Sequence, residues 1–447
     1  MTYSTMDEKE KISSRSKYAL FLLLLIYINN QWTRYLLNYL YAVSSDDEYK
    51  SIKVATNLSS SQYGLLVGFG FGLTYVAFGM IMGRASDIYN RINIIAVGLL
   101  IWNGAILLMG LSSSFSTLLI ARVILGIGES FSGPASYSLL ADFFPPSRRG
   151  EANGIYAFGV YIGGGMSSLS LTLALTIGWR NTCYLAALTG IFLAFVLRLT
   201  LTEPERAGQV ISSSSSNQQD SKISLKSTFK SIFGHSLVVS LLVASTVRFA
   251  AGYVIGGYLP SFFSEKFPDD SSLYSYLNAS VVSIGGATSA YLGGKIADKW
   301  LIKGEYRANV FVPGIGALAA IPALAAVLYS SNFSQSMASL FVEYLFAECW
   351  FGPAMSALQG GLPPRARGTG VATFALMTTL GGSTATWAVG LALNTNEDDP
   401  DLLSLVVLLS AGGAYAISGI LFFCAAAFIK SERPEGYAEL KGTSEEE

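Results

Sequence analysis

Six charged side chains, Arg34, Arg122, Glu129, Arg248, Glu343 and Glu348, fall inside long apolar runs of the chain, where hydrocarbon should reject them. A seventh, Arg198, lies near the end of its run, where its long stem can carry the charge to an interface. Ions kept at such depth usually face a wet cavity or one another. The chemistry open to them is narrow. A carboxyl in low dielectric exchanges a proton near physiological pH, and a guanidinium holds an anion. Arg122 and Glu129 are seven residues apart, so on a helix they share a face about 10 Å apart along the axis. That spacing makes them line one cavity rather than bond each other. Arg34 or Arg122 is then expected to hold an anionic headgroup, or to answer Glu129 when the site is empty. Glu343 and Glu348, five apart, are about 140° apart around a helix. Only one can face a central cavity squarely, and Glu348 is favoured because it stands in a second copy of the Glu129 block.

That block reads Arg122-Val-Ile-Leu-Gly126-Ile-Gly128-Glu129, then Gly133-Pro134, then Phe-Phe-Pro145-Pro146-Ser-Arg148-Arg149-Gly150. About two hundred residues later come Glu348-Cys349-Trp350-Phe351-Gly352-Pro353 and Pro363-Pro364-Arg365-Ala-Arg367-Gly368. Two further pairs support the repeat: Gly83-Arg84-Ala85-Ser86-Asp87 with Gly294-Lys295-Ile296-Ala297-Asp298, and Gly163-Gly164 with Gly381-Gly382.

The elements that must position these residues follow from hydropathy. The chain of 447 residues is 51% hydrophobic and 13% charged, too apolar for an ordinary soluble enzyme. Twelve apolar stretches predict spans near 18–41, 62–82, 92–111, 115–140, 151–175, 181–202, 237–263, 272–297, 308–329, 336–360, 368–393 and 402–430. The fold expected is an all-α membrane protein of twelve helices. Residues 1–17 form an N-tail, 18–202 a first six-helix bundle, 203–236 a polar low-complexity linker, 237–430 a second bundle and 431–447 a C-tail. Basic residues crowd the loops on the side of the termini, among them Arg84, Arg91, Arg148, Arg149, Lys295, Lys299, Arg365 and Arg367. The other side has only Lys50, Lys53, Arg180 and Lys266, so both termini are expected in the cytoplasm. The sequons at Asn57 and Asn332 fall on the expected outer side. Two halves with equal span number and orientation are what a duplicated carrier shows.

Composition also excludes. A formal net charge of −1 gives no basic field for nucleic acid. Cys183, Cys349 and Cys424 all lie in apolar runs and are read as small buried residues, so no metal and no cofactor are expected. Gly294-Lys295 lacks the spacing of a phosphate loop, which points to a gradient rather than ATP as the energy source.

With these residues in view, the chain resembles the major facilitator superfamily. The loop of Gly83, Asp87 and Arg91 is similar to that superfamily's signature, with Asn90 where a second glycine is usual. The Arg122 to Glu129 run, the Asp142-Phe-Phe-Pro145 exit and Arg148-Arg149-Gly150 resemble its spinster-like branch, a group of lipid and organic-anion carriers. The resemblance implies a gating role for Gly83, Asp87, Arg91, Gly294 and Asp298 on the cytoplasmic side. It also implies an acid in the first span, where this chain has Thr33 in Asn30-Gln31-Trp32-Thr33-Arg34.

The reading is a carrier working by alternating access, with Glu129 as the proton-coupling acid and Arg34, Arg122, Asn30, Arg248 and Glu348 around the substrate. Asn29, Asn30, Gln31 and Asn38 suggest a polar wall, and Trp32, Tyr35, Tyr137, Tyr156, Tyr161 and Trp350 an amphipathic lining. The substrate expected is an organic anion or a lysolipid-like amphiphile, and the carrier a monomer. An uncoupled facilitator, favoured by Thr33, and a non-transporting sensor or scramblase are the alternatives. Tyr437-Ala-Glu-Leu440 resembles a lysosomal sorting signal, which leaves the lysosomal, endosomal and plasma membranes as locations.

Overall fold

The computed structural model describes residues 12–204, 232–363, 366–394 and 399–429. The sorting signal at Tyr437, Arg365 and nearly all of the linker and tails lie outside them. Among the described residues there is no strand, and the helices group into twelve. They are α1 (Ser14–Tyr41), α2 (Ser60–Ile88), α3 (Arg91–Leu111), α4 (Phe115–Phe143), α5 (Arg149–Ile177) and α6 (Trp179–Thr200). Then follow α7 (Ser236–Lys266), α8 (from Ser271–Ser280 through a wide turn at Val281–Gly286 to Ala287–Ile302) and α9 (Ala308–Tyr329). Last come α10 (Phe333–Ala347, continued by Phe351–Gly360), α11 (Arg367–Leu393) and α12 (Pro400–Phe428). Eight of these cross a membrane by length and composition alone; α1, α8, α10 and α11 fall short of that measure. The predicted spans agree with the observed helices to within a few residues at most ends.

Local chemistry starts and stops these helices. Ser13, Asn90, Ser114 and Asn332 each accept a backbone N–H of the first turn of α1, α3, α4 and α10. On α6, Leu188, Phe192, Phe195 and Leu199 lie along one face and are 58%, 66%, 59% and 82% exposed, an apolar face suited to contact with acyl chains.

Two of the twelve are broken where the sequence places Gly-Pro. In α4, helix Phe115–Glu129 ends five residues before Pro134 and Ser132–Phe143 begins two residues before it. Proline has no N–H for the carbonyl four residues earlier, so the ladder opens at Ser130. In α10 a 3-10 turn at Glu348–Trp350 precedes Pro353 in the same way. Each break lies one turn ahead of its proline, and each carries an acid, Glu129 or Glu348, at its lip.

The described residues pack as two units. Unit one holds α1 to α6 together with Tyr253–Ile284 and Ser383–Val406; unit two holds α7 up to Gly252, Gly285–Gly382 and the chain from Val407. In unit one, glycines set the closest approaches. A Cβ at Gly163 would stand 2.6 Å from Ile28 O, and one at Gly165 would stand 2.6 Å from Ala279 O, so α1 and α8 lie directly on the glycine stretch of α5. At the end of unit one nearest residues 42–59, α1, α2 and α5 and the later stretches are joined by hydrogen bonds between uncharged groups. Asn38 Nδ2 donates to Gly256 O at 2.9 Å and Tyr63 OH to Gly257 O at 2.6 Å. Tyr258 OH donates to Thr386 O at 2.7 Å, and Asn278 Nδ2 reaches Tyr39 OH and Ser168 Oγ at 3.0 Å each.

Unit two has its own core, in which Val238, Leu241 and Leu242 pack with Val310, Trp350, Leu358, Phe374 and Phe422. Of the three cysteines only Cys183 is buried; Cys424 is exposed, and Cys349 is intermediate, its sulfur facing Val312 O and Gly316 of α9.

Gly128 gives a direct test of this packing. A Cβ there would lie 2.6 Å from the backbone N of Trp102, which cannot swing aside. Gly128→Val should cost about 1–3 kcal/mol and lower the melting temperature of the detergent-solubilised protein. Gly104→Ala, with nothing within 4 Å of its Cβ, should leave it unchanged.

Candidate functional site

The break in α4 delivers Glu129 to α1. Its carboxylate is fully buried, and Oε2 accepts Arg34 Nε at 2.8 Å. Thr33 Oγ1 donates to the backbone oxygens of Asn29 and Asn30 at 2.9 and 3.0 Å and stands 3.4 Å from Glu129 Oε1. Counting along the helices puts Arg34 nearer the outside than Glu129, yet the reach of an arginine stem closes that gap. The Arg34 side chain keeps 20% exposure, and its guanidinium lies over the rings of Tyr75 at 4.5 Å and Phe71 at 5.0 Å. One face of this cation therefore rests on aromatic π-density while its acid partner sits in the dry interior.

Arg122 does a different job from the one its spacing suggested. It is 1% exposed; Nε donates to Leu66 O and Nη1 to Arg34 O, both at 3.1 Å. Its fork thus holds two backbone carbonyls of α2 and α1, fixing the stretch that presents Arg34. Arg122 and Glu129 share no hydrogen bond, as expected from their spacing. Of the two arginines offered for an anion, Arg34 is the one with free surface.

The amide wall is also largely structural. Asn29 Oδ1 accepts Trp102 Nε1 and Asn103 Nδ2 at 3.2 Å each, and Asn29 Nδ2 donates to Ala186 O, so it ties α1 to α3 and α6. Trp32 likewise packs inward, donating to Ser170 Oγ at 2.8 Å. Asn30 accepts Gln31 Nε2 at 3.0 Å, and its own Nδ2 is buried without a partner. Among the proposed lining residues, Tyr156 stacks on Tyr27 at 4.5 Å and meets Tyr137 edge-on at 5.1 Å, within unit one.

In unit two, the break in α10 brings Glu348 toward Arg248 of α7, with Oε1 3.5 Å from Nη2. Arg248 is 2% exposed at its side chain and Glu348 30%. Glu343, which the repeat did not favour, is buried and accepts the hydroxyl of Tyr415 on α12 at 2.6 Å. Tyr415 escaped the sequence reading because a tyrosine in an apolar span is indistinguishable from packing.

The gating residues separate. Gly83 lies inside α2 rather than in a turn, and a Cβ at Gly83 or Gly294 meets nothing within 4 Å, so neither glycine mediates a close approach in this conformation. Asp87 and Asp298 are exposed. Arg91 is buried at 2% and carries a network the sequence reading missed. Its Nη1 lies 2.6 Å from Asp142 Oδ2 and 2.9 Å from Ser138 Oγ, and its Nε lies 2.6 Å from Glu203 Oε1. Glu203 Oε2 also accepts the backbone N–H of Arg91 at 3.0 Å, where a carboxylate at a helix N-terminus is favourable. The lock therefore joins α3, α4 and the end of α6. Asp142 stood in the quoted exit motif; Glu203, just past a span, could have been found as an acid facing a helix start.

Breaking the buried pair on one side strands a charge. Arg34→Ala should destabilise by about 3–5 kcal/mol, while the double variant Arg34→Ala with Glu129→Ala should recover much of that loss. A thermal-unfolding double-mutant cycle reads the difference, and an additive cycle would show that the two do not interact.

With the geometry established, comparison places the chain. The sequence model of the Major Facilitator Superfamily matches residues 20–386. An MFS-type efflux pump of Mycolicibacterium smegmatis is 22% identical over 388 residues, covering 84% of this chain and 86% of that protein. Protein spinster homolog 1 of Mus musculus is 24% identical, covering 96% of this chain and 84% of that protein. The crystal structure of a bacterial homolog of the human lysosomal transporter Spinster, inward-facing and unoccupied, is similar with a TM-score of 0.72 at 23% identity, covering 93% of this chain and 96% of that one. Twelve helices, a duplicated acid at two Gly-Pro breaks and a match over most of the length agree: this chain is a multi-pass membrane transport protein and belongs to the Major Facilitator Superfamily.

Proposed function

We propose that the protein is a secondary carrier that moves an organic anion or a lysolipid-like amphiphile by alternating access, with Glu129 as the proton-coupling acid. The observation that carries this reading is the Arg34 to Glu129 pair: a part-exposed guanidinium on a fully buried carboxylate at 2.8 Å. An anionic substrate that takes Arg34 removes the only charge partner within hydrogen-bonding reach of Glu129 among the described contacts. A carboxylate left unpaired in a dry bundle takes up a proton instead. Anion and proton are then bound together, and Glu129 returns to Arg34 when both leave. Arg122 serves by holding the α1 and α2 backbone under the site; Asn30 offers its unpartnered amide, and Arg248 and Glu348 act from unit two.

With both termini in the cytoplasm, the neutral contacts around Asn38, Tyr63 and Asn278 are the outer gate. Arg91, with Asp87, Gly83, Gly294 and Asp298, belongs to the cytoplasmic gate, and the linker of 203–236 divides two bundles of common origin. The name of the human lysosomal transporter Spinster, whose bacterial homolog this chain resembles, supports a lysosomal or endosomal location; the plasma membrane is the alternative. An uncoupled facilitator is the second reading, favoured by Thr33, whose hydroxyl stands where relatives are expected to have a second acid.

Glu129→Gln tests the coupling. In proteoliposomes screened with carboxylates and lysolipids, the variant should lose accumulation driven by an imposed pH gradient while still folding and inserting into the membrane. Accumulation that still follows the gradient would remove Glu129 from the coupling step.

A further inference from the structure

In the helix interior of unit two, one described guanidinium, Arg248, faces two carboxylates, Glu343 and Glu348. Arg248 and Glu343 are each 1% exposed, while the Glu348 side chain is 30% exposed. Arg248 Nη2 donates to Ala347 O and lies 3.5 Å from Glu348 Oε1, longer than a charge-assisted hydrogen bond. Its Nε is buried without a partner. The guanidinium carbon lies 4.7 Å from the centroid of the Tyr415 ring and 5.4 Å from that of Trp350, so the group is confined but not saturated. The titratable and charged groups that face Glu343 are Tyr415 of α12, Arg248 of α7 and Glu348 of its own helix. Cys349 stands beside Arg248 and Glu348. The one hydrogen bond Glu343 receives is neutral, from Tyr415 OH at 2.6 Å.

A single neutral donor does not offset the loss of hydration of a carboxylate in a dry bundle. Two acids sharing one cation at low dielectric retain a proton between them. The part-exposed member, Glu348, is the one next to the guanidinium; the buried member, Glu343, faces Arg248 without bonding it.

We infer that Glu343 is a proton-binding site of unit two, holding its proton as a carboxylic acid while Arg248 leans on Glu348 and releasing it when the idle Nε of Arg248 turns to Glu343. In that step the O–H bond of the Glu343 carboxyl breaks, and the proton leaves on water reaching the exposed Glu348. Arg248 replaces it as the neutralising charge, and nothing is oxidised or reduced. The site stands independently of Glu129, which lies in unit one.

The proton itself is the probe. Full-length protein in lipid nanodiscs, titrated while its infrared difference spectrum is recorded, should show a carboxylic-acid C=O band that Glu343→Gln removes and Glu129→Gln leaves in place. Tyr415→Phe should shift that band to higher frequency, because the carbonyl loses its hydroxyl donor. Glu348→Gln should abolish it near neutral pH, because Arg248 is then free to hold Glu343 ionised. A folded Glu343→Gln protein with the band unchanged would overturn the inference. If Glu343→Gln does not fold, an unshifted band in Tyr415→Phe would do the same. Failure of the Glu129 reading shows separately, as pH-driven accumulation surviving Glu129→Gln with the Glu343 band intact.

Discussion

An ion pair inside an apolar helix bundle is the constraint on which the rest of unit one depends. Neither partner is tolerable alone: a buried carboxylate without its cation costs several kcal/mol. The backbone must therefore deliver Glu129 and Arg34 to the same point. Pro134 opens the ladder of α4 immediately after Glu129. Arg122 holds Leu66 O and Arg34 O, so the carbonyls of α2 and α1 are themselves satisfied by a charge. The glycine stretch of α5 lets α1 lie close enough for the arrangement to be dry. Each device is ordinary in itself, and together they leave one side chain, Arg34, with both a buried partner and an open face.

The second half repeats the plan with the polarity of exposure reversed. Its proline-linked break again carries an acid, but there the carboxylate of Glu348 is partly exposed and the guanidinium of Arg248 is buried. The extra acid, Glu343, has no equivalent charge in the first half. The proline-linked break thus stands at corresponding places of the two halves while the chemistry around it differs, a paired acid in one unit and a hydroxyl-bonded acid in the other.

Much of this was legible in the residues. Apolar run lengths give the twelve helices, and the repeated Glu to Gly-Pro spacing points to the breaks. What run length does not show is direction. Asn29 and Asn38 look like a polar lining in one dimension, yet the Asn29 amide is spent on Trp102, Asn103 and Ala186 and the Asn38 N–H on Gly256 O. Arg122 looks like an anion site until the carbonyls it binds are known. Glycine is the other ambiguity: Gly163 and Gly165 carry close contacts, whereas Gly83 and Gly294, in the more recognisable motif, carry none. The partners of Arg91 come from α4 and from beyond α6, a separation that no local pattern encodes.

The neutral character of the seal around Tyr63, Asn38, Tyr258 and Asn278 has an electrical consequence. Moving one elementary charge through the full membrane field is worth about 2.3 kcal/mol per 100 mV. Parting these amides, hydroxyls and carbonyls shifts no such charge, so if this end is the outer gate proposed above, these particular bonds add no voltage dependence to its opening. On that reading, any voltage dependence of the proposed cycle would enter where guanidinium and carboxyl groups change partners, deep in the bundles.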